Sequence, residues 1–308
     1  MERRWQNARK IFLRRMLPFF RLFPLESATR LVSGVGRFEY RFQSQLKTAF
    51  DRAVRRGAQV LGCEWNVEET SRELAGNHIL WRTRDLLLDG ASDHRAKSIF
   101  DVTGREHLDA ALAEGKGCLV LASHFGAHML PAHWMYREQY PLKLYMERPR
   151  SISKYMTKKF GDEGPLSQDK LFISRKSDPA DSASSILRAA RALKTGMLLF
   201  VAGDVRWEGK LTTESSFLGK TFQFSTTWVV LAATSGAPVV VSFCQMGTDG
   251  RYHLEFRPAF HVPRDGASQE GMSRWVRHYL EILEEQVRRY PTNSNDYFFW
   301  EGIGEHAA

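Results

Sequence analysis

Cysteine is scarce in this chain. Its 308 residues hold three, Cys63, Cys118 and Cys244. The number is odd and no two stand as C-x-x-C, which excludes a disulfide framework and zinc-finger spacing and points to a reducing compartment. Cys118 and Cys244 lie within apolar runs and read as buried thiols. Long apolar runs are missing as well. No stretch reaches eighteen uninterrupted apolar residues, so no transmembrane helix is expected. Acidic residues are in deficit, 35 against 44 Lys and Arg, a net charge of +9. That excess favours an acidic partner: anionic lipid, an acidic carrier protein or nucleic acid. Several catalytic signatures are absent. There is no G-x-S-x-G elbow, and Ser123 lacks the flanking glycines of one. There is no G-x-G-x-x-G or Walker A run, which excludes the usual nucleotide enzymes. Neither a helix-turn-helix cue nor an RNA-recognition signature occurs, and the basic residues are spread rather than massed, which argues against nucleic acid.

What is present begins at Gly117-Cys118-Leu119-Val120-Leu121-Ala122-Ser123-His124-Phe125-Gly126-Ala127-His128. The apolar run reads as a buried strand, and the Gly-Ala step reads as the turn into a helix. His124 then stands at the carboxyl end of a strand, where open α/β sheets place their ligand crevice. A histidine there can take a proton from a hydroxyl or amine near neutral pH. It can also simply close the strand.

Strand-like runs recur at 117–122, 142–146, 171–173, 197–202, 238–244 and 252–256. Helix-like runs separate several of them: 106–114, 184–194 and 226–234. A last helix is marked by Val276, Tyr279, Leu280, Leu283 and Val287, with Pro291 as its stop. Residues 25–95 read as mostly helical and basic. The alternation predicts an α/β fold, a mostly parallel sheet flanked by helices, with a helical N-terminal region. Residues 147–169 are polar, basic and Gly/Pro-containing, a loop long enough to carry function. A hydrophobic content of 43% supplies ample core.

Residues 3–24 suit a helical reading. Arg3, Lys10, Arg14 and Arg21 share one face, and Trp5, Phe12, Met16, Phe19 and Phe23 share the opposite one. A basic face opposed to an aromatic face fits a helix lying in a membrane interface. Pro18 should kink or end it near Leu17. An amphipathic helix packed on the core would share this pattern. The apolar part is broken by Arg14, Arg15 and Arg21 and does not read as a signal peptide. The expected division is therefore 1–24, a basic amphipathic membrane-associating helix, and 25–308, a single α/β domain.

An ordered series of motifs carries a resemblance. A helix of the type Glu106–Gly115 leads into an apolar strand and a His-Phe-Gly step at 124–126. Leu193-Lys194-Thr195-Gly196 precedes a strand that ends in the turn Ala202-Gly203-Asp204-Val205-Arg206. A Phe-Leu-Gly-Lys loop follows at 217–220, then a Ser/Thr-rich helix start at Ser225, Thr226 and Thr227. Tyr290-Pro291 and Trp300 close the series. Over residues 15–301 the chain resembles the lysophospholipid acyltransferase superfamily, and more closely its lipid A late acyltransferase branch (lauroyl and myristoyl transferases). It is similar also to phosphatidylinositol mannoside acyltransferases.

The resemblance implies a glycerolipid-acyltransferase-like fold and no cofactor. The implied reaction moves a fatty acyl group from an acyl carrier protein or coenzyme A thioester to a hydroxyl, or an amine, of a lipid or glycolipid acceptor. It implies work at an anionic membrane surface, peripheral or monotopic, on the cytoplasmic face of the inner membrane. The family histidine, matched here by His124, is the general base. Arg175 resembles the superfamily arginine that meets an acceptor phosphate, a task suited to its two-pronged fork. Arg148, before Pro149, and Arg206 are further candidates for holding donor or head group.

One departure matters. The family places an acid five residues after the histidine, and Met129 stands there. A formal match at His133 and Glu138 lies inside a predicted helix and reads as coincidence. Glu147, after the strand 142–146, or Asp204, after the strand 197–202, can replace the missing acid. His128, one helical turn from His124, can orient it or relay a proton. A chain that has lost ordinary transfer, and only binds acyl chains or a carrier protein, is the rival reading. Hydrolysis of the thioester without an acceptor is another outcome. No metal is implied.

Overall fold

The computed structural model describes residues 15–16, 19–20, 22–88, 90–147, 170–173, 179–206, 209 and 211–294. Among the described residues the first helices with both ends defined are α1 (Leu25–Phe42), α2 (Ser44–Leu61) and α3 (Val67–Leu88). A short α4 (Asp93–Lys97) precedes β1 (Phe100–Thr103), α5 (Arg105–Ala113), β2 (Cys118–Ala122), α6 (Leu130–Arg137), β3 (Leu142–Glu147) and β4 (Lys170–Ile173). There follow α7 (Pro179–Lys194), β5 (Leu198–Ala202), the hairpin β6 (Thr212–Phe217) and β7 (Lys220–Ser225), α8 (Thr227–Ser235), β8 (Val239–Met246), β9 (Tyr252–Phe256) and α9 (Gln269–Arg289).

Among the described residues the main sheet has seven strands in the order β1-β9-β8-β2-β5-β3-β4. From β8 to β4 all neighbours are parallel, whereas β9 runs antiparallel to β8. The central strands read as unbroken apolar runs because both their faces are covered. Leu119 and Leu121 pack toward α7, α8 and α9, while Cys118, Val120 and Ala122 pack toward α1, α3, α5 and α6. Cys118 and Cys244 are fully buried, as expected, and burial pushes the Cys118 thiol up to about 12.

Three features differ from the expectations drawn from sequence. β1, Phe-Asp-Val-Thr, is a four-residue edge strand whose mixed composition hides it. The Phe217–Lys220 loop is the two-residue turn of a hairpin. Leu218 and Gly219 both adopt positive φ, 50° and 73°, as a twist-matched hairpin turn requires. The third is the His124–Met129 segment, which is a series of bends, with helix resuming only at Leu130. Gly126 sits there at φ +60°, and a Cβ on it would run into the Cys244 carbonyl.

An ion-pair cluster ties the β1–β9 edge to α1. Arg251 donates to both oxygens of Asp101, at 2.8 and 2.6 Å, and to Glu26 at 3.1 Å. The hydrogen bonds from Arg251 hold the Asp101 carboxyl below its usual range. A depressed folded-state pKa adds stability above the unfolded value, about 3.9, which is lost as pH falls through the folded value. The melting temperature should therefore drop as pH falls below about 4. Asp101→Asn should flatten that part of the curve, and an unchanged slope in the variant would refute the assignment.

Candidate active site

Two neighbouring central strands, β2 and β5, carry the candidate site at their carboxyl ends. The connection from β2 leads through α6, on one face of the sheet, to β3. The connection from β5 leads through the hairpin and α8, on the other face, to β8. The chain thus leaves neighbouring parallel strands toward opposite faces, and the gap between the departing loops is the switch point where α/β sheets hold ligands. Ala122 and Ala202 are register partners. His124 and Asp204 each follow two residues later, so the sheet itself sets them side by side.

They are joined twice. Asp204 Oδ2 accepts the His124 backbone N–H at 2.8 Å, and Oδ1 lies 3.0 Å from His124 Nδ1. Asp204 is 1% exposed and the His124 side chain 30%. A buried carboxylate requires donors, and one residue supplies it with two. Opposite an ionised carboxylate, which only accepts, Nδ1 is the donor and the imidazole's lone pair falls on Nε2. The second bond, to the backbone, fixes where that ring starts from. Such a pair can draw a proton from a nucleophile at Nε2 while the carboxylate steadies the imidazolium that results.

His128 lies beside this pair. Its ring centroid is 5.2 Å from that of His124 and 6.1 Å from that of Trp81. The two histidines meet through the bends of 124–129, not through a helical turn. Gly126 N–H donates to the Asn293 carbonyl at 2.8 Å and Ala127 N–H to the Cys244 carbonyl at 2.7 Å. Asn293 also accepts Met246 N–H through its side chain at 2.7 Å. No local sequence pattern marks Asn293, because its partners lie on β8 and on the loop after β2.

Glu147 ends β3, which pairs with β5 and not with β2, so a whole strand separates it from His124. Its side chain, and all of Arg148 and Arg175, lie outside the described residues. Arg206 stands at the base of the hairpin, bridged to Phe224, with its guanidinium 3.7 Å from the Phe222 ring centroid. His133 is buried in α6, and Glu138 pairs with Lys97 and Arg105, so the formal acid motif belongs to packing. Among the described residues one group, Asp101, Asp249 and His253, brings its donor atoms within 4.8 Å of each other. Both oxygens of Asp101 are already held by the Arg251 guanidinium.

The fold is a mostly parallel α/β sheet with a histidine–aspartate pair beyond the carboxyl ends of two neighbouring strands. The family follows from comparison. Residues 11–300 match the family model described as bacterial lipid A biosynthesis acyltransferase, and the chain belongs to that family. It is an acyltransferase, acting between an acyl donor and a lipid acceptor. A comparison with curated proteins gave no match.

Proposed function

We propose that this chain transfers a fatty acyl group from an acyl carrier protein or coenzyme A thioester to a hydroxyl, or an amine, of a lipid or glycolipid acceptor. His124 Nε2 takes the acceptor proton. The acceptor oxygen attacks the thioester carbonyl, and the thiolate leaves as the tetrahedral intermediate collapses, the proton passing to sulfur. Asp204 serves as the acid absent from position 129. The double contact of Asp204 with His124 is the observation that carries this reading. Arg148 and Arg175 follow β3 and β4, whose carboxyl ends open on the same edge of the sheet as β2 and β5. With Arg206 they are proposed to hold phosphates of donor or acceptor. The test is incubation of the full chain with acyl carrier protein and coenzyme A thioesters and a phosphorylated glycolipid, with product read by mass spectrometry. An acylated lipid is expected. A chain that binds these donors without turnover would be a non-catalytic relative.

The site is proposed to work at an anionic membrane, on the cytoplasmic face of the inner membrane, with residues 1–24 as its foot. Among the described residues no helix is long and apolar enough to cross a bilayer. Support comes from α1, where Leu31, Phe38 and Phe42 are exposed along one stripe beside exposed Arg30 and Arg41. Phe19, Leu22 and Phe23 are exposed just before it. Apolar side chains flanked by cations suit an anionic interface, with about 1 kcal/mol of attraction per nearby Lys or Arg. The double variant Phe38→Glu/Phe42→Glu, or removal of residues 1–24, should reduce co-sedimentation with anionic vesicles. Equal sedimentation of both variants and the parent would contradict the membrane reading.

A further inference from the structure

Tyr279 belongs, by its spacing, to the apolar face of α9. Its ring is fully buried, and it packs edge-on against Trp228 of α8, with centroids 6.0 Å apart. A buried tyrosine must still place its hydroxyl. Tyr279 donates that hydroxyl to the carbonyl of Ala122 at 2.8 Å. The same carbonyl accepts the Gly203 N–H at 2.8 Å. Ala122 is the last residue of β2, two before His124, and Gly203 immediately precedes Asp204.

The ring makes a second contact. A Cβ on Gly203 would lie 2.7 Å from two carbons of the Tyr279 ring. The ring therefore occupies the space a side chain at 203 would need, close against the backbone that delivers Asp204. One carbonyl, two donors and one ring bind the ends of β2 and β5 to α9.

We infer that Tyr279 is a positioning residue for the His124–Asp204 pair, clamping both strand ends from below through the Ala122 carbonyl and the Gly203 backbone. The inference rests on the proposed role of His124 as base. It follows from tolerance: Asp204 must meet a ring nitrogen and a backbone N–H of the same residue. A slip of either strand end breaks one of the two bonds. Misplacement of about 1 Å in a catalytic geometry can cost about a hundredfold in rate.

Two variants test this. Tyr279→Phe keeps the ring and removes the donor. Gly203→Ala keeps the donor and drives the ring away. Each is assayed for kcat and KM on an acyl thioester, and by proton NMR for the hydrogen-bonded His124 Nδ1–H, assigned by its loss in His124→Ala. We expect Tyr279→Phe to lower kcat about tenfold and Gly203→Ala about a hundredfold, with KM within about twofold. The Nδ1–H resonance should shift or broaden in both. An unmoved resonance with parental kcat in both variants would overturn the clamp, even though His124→Ala stays inactive. A His124→Ala protein that keeps full turnover would instead overturn the role of the base, and the resonance would still judge the clamp. If either variant fails to fold, the other decides by the same two readouts.

Discussion

His124→Ala should lose acyl transfer about a thousandfold while keeping its fold. General-base catalysis by a placed imidazole contributes on the order of 10²–10⁴ in rate, and the His124 ring is the one aligned by a buried carboxylate at the switch point. The backbone N–H of residue 124 survives the change, so Asp204 keeps one of its two donors there. The lost hydrogen bond to a buried carboxylate costs about 1.5–3 kcal/mol, enough to lower the melting temperature without unfolding a domain of this size. Thioester consumption, lipid product and thermal unfolding measured on the same preparation separate chemistry from stability. Parental turnover in the variant would refute the base assignment.

Asp204→Asn should be nearly as damaging. The exchange keeps the shape of the side chain but offers it an N–H donor. If that N–H faces Nδ1, the imidazole proton is driven to Nε2, the atom that must accept. The same exchange in the triad of a serine protease leaves the geometry intact yet costs about 10⁴ in kcat, because the histidine is held in the wrong tautomer. A loss of about 10³ in kcat with little change in KM is expected here. Glu147→Gln is the comparison. With β5 between β3 and β2, that variant should change kcat less than about threefold. The reverse ranking of the two variants would assign the missing acid to Glu147.

Much of the fold is legible along the chain. The apolar runs at 117–122, 197–202 and 238–244 are strands because a parallel sheet buried on both faces tolerates few polar residues. The helices at 106–114 and 226–234 match their expected ends within a residue or so, and the helix expected at 184–194 starts earlier, at Pro179; each closes near a glycine. β1 escapes notice because its apolar–polar alternation, Phe-Asp-Val-Thr, lasts only four residues, too short to stand out from the flanking chain. The hairpin escapes it because Phe-Leu-Gly-Lys has the composition of a loop joining a strand to a helix. Its ends in fact pair in register over six residues.

The chain alone determined the strands of the parallel core and β9, though not β1 or the hairpin; it determined that His124 would follow one of them, and that two acids, Glu147 and Asp204, would follow others. Which acid meets the imidazole was decided only by tertiary structure. Both carboxylates follow parallel strands in the same way, and nothing local separates them. β5 inserts between β2 and β3, bringing residues 80 positions apart into adjacent register while holding Glu147 a strand away. Strand order arises from the packing of α6 and α8 on opposite faces of the sheet, a property of the whole core that no short stretch encodes.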